Sequence, residues 1–166
     1  MKKRLLSLFL TFSMLLTFFP VGTVTVFASD SPMAYTDGSY QFILNADNTA
    51  TITKYTGNEH RITIPAQVAQ GTQTYPVTKI GDRVFSNYRY APTSVQIPDT
   101  VTEIGSNAFR ACSALTSIVI PNQVKLVGSY AFTSCSLNHI GWGSSVEKIG
   151  YGAFEKNKFV EMKIPQ

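Results

Sequence analysis

Hydrophobic and polar positions follow three regimes along the chain. From Leu5 to Phe19 apolar residues predominate, directly after Lys2, Lys3 and Arg4. From Tyr40 to Leu44 and from Thr49 to Lys54 apolar and polar residues alternate around Asn45-Ala46-Asp47-Asn48. That alternation about a turn-forming tetrad predicts an antiparallel hairpin. Beyond Arg61 the pattern becomes periodic. The phrase I-G-x-x-A-F recurs as IGDRVF at Ile80, IGSNAF at Ile104, VGSYAF at Val127 and IGYGAF at Ile149, with spacings of 24, 23 and 22 residues. A second phrase keeps the same period: ITIP ending at Pro65, VQIP at Pro98, IVIP at Pro121 and MKIP at Pro165, with IGWG ending at Gly143 in the remaining place.

Aligning the copies produces columns. The apolar ones include Ile62, Val95, Ile118, Ile140 and Met162, then Ile64, Ile97, Ile120, Trp142 and Ile164. Val77, Val101, Val124 and Val146 form another, and Phe85, Phe109, Phe132 and Phe154 a fourth. Gly81, Gly105, Gly128 and Gly150 share one phase, which suggests a turn with an unusual backbone angle. A solenoid demands such columns, because each coil buries its apolar edge only against the next coil. V-x-I-P reads as a short parallel strand ended by proline. The small Ala and bulky Phe of I-G-x-x-A-F read as a tight helical or 3₁₀ turn closing the opposite edge.

A strand plus a turn every 20–29 residues is the plan of a leucine-rich repeat. The segment VTEIGSNAFRACSALTSIVIPNQVKLVGSYAFTSCS resembles the BspA-like, treponemal-type leucine-rich repeats of bacterial surface proteins, and the resemblance covers roughly Arg61 to Gln166. Departures are Val84 for Ala, Tyr88 and Asn157 for the Cys of the other coils, and Trp142-Gly143 for Ile-Pro. The expected fold is a β-rich solenoid of about four coils with short parallel strands, the last coil incomplete. Residues 61–166 form the stack, and residues 29–60 hold a mobile lead-in (Ser29 to Asp37) and a hairpin cap shielding the first coil's edge. Each earlier copy continues from Pro into V-x-x-I-G, whereas the chain stops at Gln166. This predicts a fragment of a longer repeat array or the product of a truncated gene.

The N-terminal regime has the order of a secretory leader: a basic start, an apolar run broken by Pro20 and Gly22, then Val26-Phe27-Ala28 with small residues at −3 and −1. Cleavage after Ala28 leaves 138 residues carrying 11 bases and 10 acids. An uncleaved anchor is the alternative, but the run breaks short of the ~20 residues that span a bilayer. The formal +4 of the whole chain therefore falls to nearly zero, which removes the electrostatic case for nucleic acid or an anionic membrane. No membrane span is expected after cleavage, and the expected location is extracellular or on the cell surface.

Candidate chemistry is sparse. Cys112 and Cys135 share one phase on neighbouring coils. A spacing near ~4.8 Å would tolerate a disulfide, but parallel side chains rarely reach its dihedral, so a buried thiol ladder is the favoured reading. Two Cys without clustered His make no zinc site. His60 and His139 lack a nucleophile elbow or metalloprotease motif around them, so no catalytic residue is assigned. GWGSSV and GYGAF lack the βαβ setting of a phosphate loop, and no cofactor is expected.

A surface is the better candidate. Outward strand positions form two ladders, Arg61, Ser94, Ser117, His139, Glu161 and Thr63, Gln96, Val119, Gly141, Lys163. At ~4.8 Å per coil they make a mostly neutral ribbon roughly 20 Å long, of the kind repeat proteins use for partners. Each residue alone is equally consistent with a merely solvated strand. Trp142 is either a core or edge residue accommodated by Gly141 and Gly143, or an aromatic binding anchor. The resemblance implies non-enzymatic, adhesion-type binding to host or bacterial surface proteins. A structural spacer is one alternative. A carbohydrate-binding module using Tyr88, Tyr90, Tyr130 and Tyr151 is another.

Overall fold

The computed structural model describes residues 33–86 and 92–162; the leader, Tyr88, Tyr90, Lys163 and Ile164 lie outside them. The cap is built from β1 (Ala34–Asp37), β2 (Tyr40–Leu44) and β3 (Ala50–Tyr55), a meander in which β1 pairs antiparallel with β2 and β2 with β3. The predicted hairpin is present. Ala34–Asp37, expected within a mobile lead-in, is instead its third strand: Tyr35 stacks at 5.6 Å on the buried Phe42. At the turn, Asp47 accepts hydrogen bonds from the backbone N–H and hydroxyl of Thr49. These bonds hold its carboxyl below the usual carboxylate range.

The solenoid has two strand-bearing edges. One carries the V-x-I-P phrases as β4 (Arg61–Thr63), β7 (Ser94–Gln96), β9 (Ser117–Val119) and β11 (His139–Gly141). The other carries strands that the sequence pattern did not reveal: β6 (Gln73–Ile80), β8 (Glu103–Ile104), β10 (Leu126–Val127) and β12 (Lys148–Ile149). These run in parallel from β3 through β6, β8 and β10 to β12, so the cap continues the stack instead of merely covering it. The insertion between Pro65 and Tyr75 is β5 (Gln67–Gln70), hairpinned onto the start of β6 through Gly71, whose φ is +64°.

The turns are not helical. Arg83, Asn107, Tyr130 and Gly152, all in the fourth place of I-G-x-x-A-F, have φ between 56° and 60°. A helix would close each N–H on a carbonyl of its own coil. Here the N–H groups of Asn107, Phe109 and Ala111 donate to Ser129, Ala131 and Thr133 of the next coil at 2.8–2.9 Å. The left-handed residue reorients the peptides along the solenoid axis, and the same pairing recurs from Tyr130, Phe132 and Ser134 to Tyr151, Ala153 and Glu155.

The glycine column has a different cause from the one expected. Gly81, Gly105, Gly128 and Gly150 do not have positive φ. A Cβ on Gly128 would sit 2.6 Å from the carbonyl carbon of Gly105 and 2.6 Å from the amide nitrogen of Ser106. The glycines are there because successive backbones nearly touch.

The core is the set of columns. Phe85, Phe109, Phe132 and Phe154 stack with ring centroids 4.9–5.3 Å apart and planes within 6° of parallel, and Tyr55 of the cap extends the series at 5.3 Å from Phe85. Each buried ring contributes on the order of 2–3 kcal/mol by leaving water. Val77, Val101 and Val124 are fully buried, whereas Val146 and Ile149 in the last described coil are half-buried. Met162, expected in an apolar column, is exposed and extends no strand.

Candidate functional site

The outward face is set by strand alternation. In β4 and β9 the central Ile62 and Ile118 are buried while both flanking residues are exposed. Parallel pairing puts Arg61 beside Ser94 and Thr63 beside Gln96 on β4 and β7, and Ser117 beside His139 and Val119 beside Gly141 on β9 and β11. One row thus holds the pairs Arg61–Ser94 and Ser117–His139, the other the pairs Thr63–Gln96 and Val119–Gly141. Glu161 is exposed but lies outside any strand, so it adds no fifth rung, and Lys163 lies outside the described residues.

The ribbon is not continuous. Residues β7 and β9 are neighbours without a shared ladder. Elsewhere Ile64 N–H donates to Gln96 O at 3.0 Å and Ile120 N–H to Gly141 O at 2.8 Å. At the seam, Val95, Ile97, Pro98, Val119 and Pro121, with Gln96 and Asp99 at the rim, line a cavity of about 410 Å³.

Val119 departs most from a polar rung. It is 66 % exposed and leans across the bare backbone of Gly141, where a Cβ would lie 3.3 Å from Cγ2 of Val119. The neighbouring rungs Ser117, Gln96 and Thr63 are small or neutral, and Arg61 alone supplies charge within the paired strands of this face.

Trp142 is half-buried, edge-on to Phe154 at 5.4 Å. It ends the phenylalanine stack and also forms one wall of a cavity of about 290 Å³ with His139, Ile140, Phe159 and Glu161. Trp142 is thus an edge residue packed on the core on one side and open to a cavity on the other. Phe159 holds the place of the buried Leu115 and Leu137, three positions before the strand column, a column that the sequence analysis did not single out. Gly143 replaces proline because its α-carbon lies against the Pro121 carbonyl, leaving no room for a Cβ.

The cysteines are free and buried. Cys112 Sγ donates to Phe85 O at 3.5 Å and Cys135 Sγ to Phe109 O at 3.1 Å. Asn157, in the same phase of the last coil, donates through Nδ2 to Phe132 O at 2.8 Å and accepts from Leu137 N–H at 3.0 Å. The column is thus a series of donors, each satisfying the phenylalanine carbonyl of the preceding coil. The adjoining Cys135 sulfur, together with burial, pushes the Cys112 thiol well above the ordinary thiol range. No cluster of metal-ligating side chains occurs among the described residues.

On the opposite turns, Tyr130 and Tyr151 meet edge to face at 5.5 Å, and Tyr151 is 78 % exposed. Both belong to the tyrosines singled out in the sequence.

A family model described as the BspA-type leucine-rich repeat region (6 copies) matches residues 77–166. Among solved structures, a leucine-rich cell surface protein from Faecalibacterium prausnitzii is 46 % identical, with a TM-score of 0.53, over 83 % of this chain and 50 % of its own length. A leucine-rich repeat protein from Bacteroides ovatus is 29 % identical, with a TM-score of 0.63, over 79 % of this chain and 35 % of its own. One from Bacteroides capillosus is 26 % identical, with a TM-score of 0.52, over 66 % of this chain and 97 % of its own. The chain thus spans half or less of the first two. No curated protein matches it. A repeating backbone with two strand edges, a stacked phenylalanine column and this family match place the chain in the BspA-type leucine-rich repeat family.

Proposed function

We propose that this protein is exported after cleavage behind Ala28, acts outside a bacterial cell or on its surface, and binds another protein through the face of β4, β7, β9 and β11 without catalysing a reaction. Its partner would be an extracellular host protein or a surface protein of a neighbouring bacterium. In this reading residues 1–28 are the leader, 29–60 the cap region and 61–166 the binding repeats. The observation that carries it is Val119, an exposed aliphatic side chain where the repeat needs only a solvated one. It stands between the seam cavity and the cavity walled by Trp142. Interfaces have an apolar core within a polar rim, and Val119 is apolar with neutral polar neighbours. The description of the Faecalibacterium relative as a cell surface protein supports the location.

The test is binding of the secreted chain to an array of extracellular-matrix and bacterial surface proteins, beside a Val119→Lys, Ser117→Glu double variant. The expected result is a partner that the variant loses, with weak dependence on salt because the face is nearly neutral. A partner bound equally by the variant would place recognition elsewhere. An array silent for folded monomer would favour a spacer that holds other modules away from the cell.

A further inference from the structure

The cap treats the two strand-bearing edges differently. On one it supplies a neighbour, β3, for β6 of the first coil. On the outward face it supplies none, and β4 pairs with β7 alone. The bonds to β7 involve His60 C=O, which accepts from Thr93 N–H at 2.7 Å, and Ile64 N–H, which donates to Gln96 O at 3.0 Å. Successive residues of a strand direct their N–H and C=O to opposite edges, so those of Arg61 and Thr63 point away from β7. Arg61 N–H, Arg61 C=O and Thr63 N–H have no hydrogen bond among the described residues.

A cavity of about 460 Å³ adjoins this edge, lined by Arg61, Thr63 and Pro65 and by the β1–β2 turn from Asp37 to Tyr40. Tyr40 bounds the usable edge. Its hydroxyl donates to Thr63 O at 2.8 Å, occupying the acceptor that the next N–H of an added strand would use. Arg61 is exposed and has no ion pair among the described residues. Asp37 and Glu59 also line the cavity, and each accepts from a neutral donor, the Ala69 N–H and the Tyr55 hydroxyl.

We propose that the free edge of β4 takes up an extended segment of the partner protein as an added strand, with one carboxylate of that segment opposite Arg61. The inference rests on the protein-binding reading of the same face and names the form of the partner. An open strand edge is a template for main-chain pairing, and here unpaired backbone groups adjoin a cavity. Side chains directly opposite on neighbouring strands interact, so an acidic residue beside Arg61 is favoured and a basic one disfavoured. Asp37 and Glu59 repel a run of acids, which limits the segment to one acid among neutral residues.

The experiment is titration of the isotope-labelled secreted chain with the blocked peptide TVTETVT, read by NMR amide shifts and by hydrogen exchange. The peptide is palindromic, so both strand directions are sampled. Binding should shift and protect the amides of Arg61 and Thr63. The peptide TVTKTVT should bind about tenfold more weakly, and Arg61→Glu should reverse that order. Thr63→Pro removes one N–H of the free edge and none of the bonds to β7. It should weaken TVTETVT by about tenfold and melt with the parent protein. The Val119→Lys, Ser117→Glu variant should bind the peptide unchanged, so the edge and the rest of the face are tested separately. No binding at millimolar peptide, protection confined to other amides, or an unchanged peptide preference in Arg61→Glu would overturn the proposal. So would protection of the same amides that rises with protein concentration alone, which would assign the edge to a second copy.

Discussion

Substituting Gly128 by alanine distinguishes two explanations of the glycine column by sign. If the column served only backbone freedom, a residue at an ordinary negative φ would gain from the change, since alanine lowers the entropy of the unfolded chain by about 0.4–1 kcal/mol. The structure predicts the opposite. The new methyl would meet three backbone atoms of the preceding coil, at 2.6, 2.6 and 2.9 Å, whereas ordinary contact begins at 3.4 Å. None of the three belongs to a flexible side chain, so relief requires separating coils that Gly128 N–H ties to Ile104 O at 2.7 Å. Overpacking of this kind costs about 1–3 kcal/mol, or a fall in Tm of roughly 4–12 °C for a domain of this size. Gly38 is the control: its φ is +55° and nothing lies within 4 Å of its would-be Cβ, so Gly38→Ala should cost only the ~1 kcal/mol of a left-handed backbone. Thermal melts by circular dichroism, with urea titration for the energies, would read both. An unchanged or raised Tm for Gly128→Ala would refute the close-approach argument.

The donor column yields a graded series. Asn157→Ala removes the donor to Phe132 O and the acceptor of Leu137 N–H and should destabilise by about 1–3 kcal/mol; Asn157→Cys should lose less, since cysteine makes the equivalent bond in the two preceding coils, and equal losses in urea titration would count against the column. The thiols should resist a disulfide-exchange reagent in the native protein and titrate as two per chain in guanidinium. Because the folded Cys112 thiol is raised above its ordinary 9.0, the unfolded chain sheds that proton first. Stability from this group is complete below about pH 9 and falls as pH rises beyond it, towards the folded value. Melts across that range should show the fall, and Cys112→Ala should flatten it; a parallel slope in the variant would assign the effect to other groups. Phe109→Ala, which opens a gap between two rings at 4.9 and 5.0 Å, should cost about 3–5 kcal/mol in the same denaturation assay, and a loss under 1 kcal/mol would show that the coils collapse onto the space.

The repeat itself was legible because stacking converts one-dimensional periodicity directly into contact: Phe85, Phe109, Phe132 and Phe154 touch since they share a phase. The rung neighbours Ser117 and His139 followed from the same rule. What stayed hidden depends on backbone geometry. Strands of two residues such as Glu103–Ile104 are too short to show alternation, and a left-handed Asn107 or Tyr130 carries no signal in a column that also holds Arg83. Gly128 was visible as a glycine, but a glycine needed for close approach and one needed for its φ read identically in sequence. The seam between β7 and β9 left no mark in the sequence, because coil length falls by one residue both there and between β9 and β11, which do pair.

That seam gives the solenoid unequal mechanical properties on its two edges. From β3 to β12 every strand is hydrogen-bonded to the next, so that edge behaves as an inextensible cord. The facing edge is two bonded pairs with no ladder between them. A bending load therefore meets one stiff side and one with a compliant joint, and the coils should yield there by opening the outward strand face like the pages of a book about its spine. For a protein pulled by fluid shear between two surfaces, strain would gather at Val95, Ile97 and Val119, the last of them a candidate contact residue.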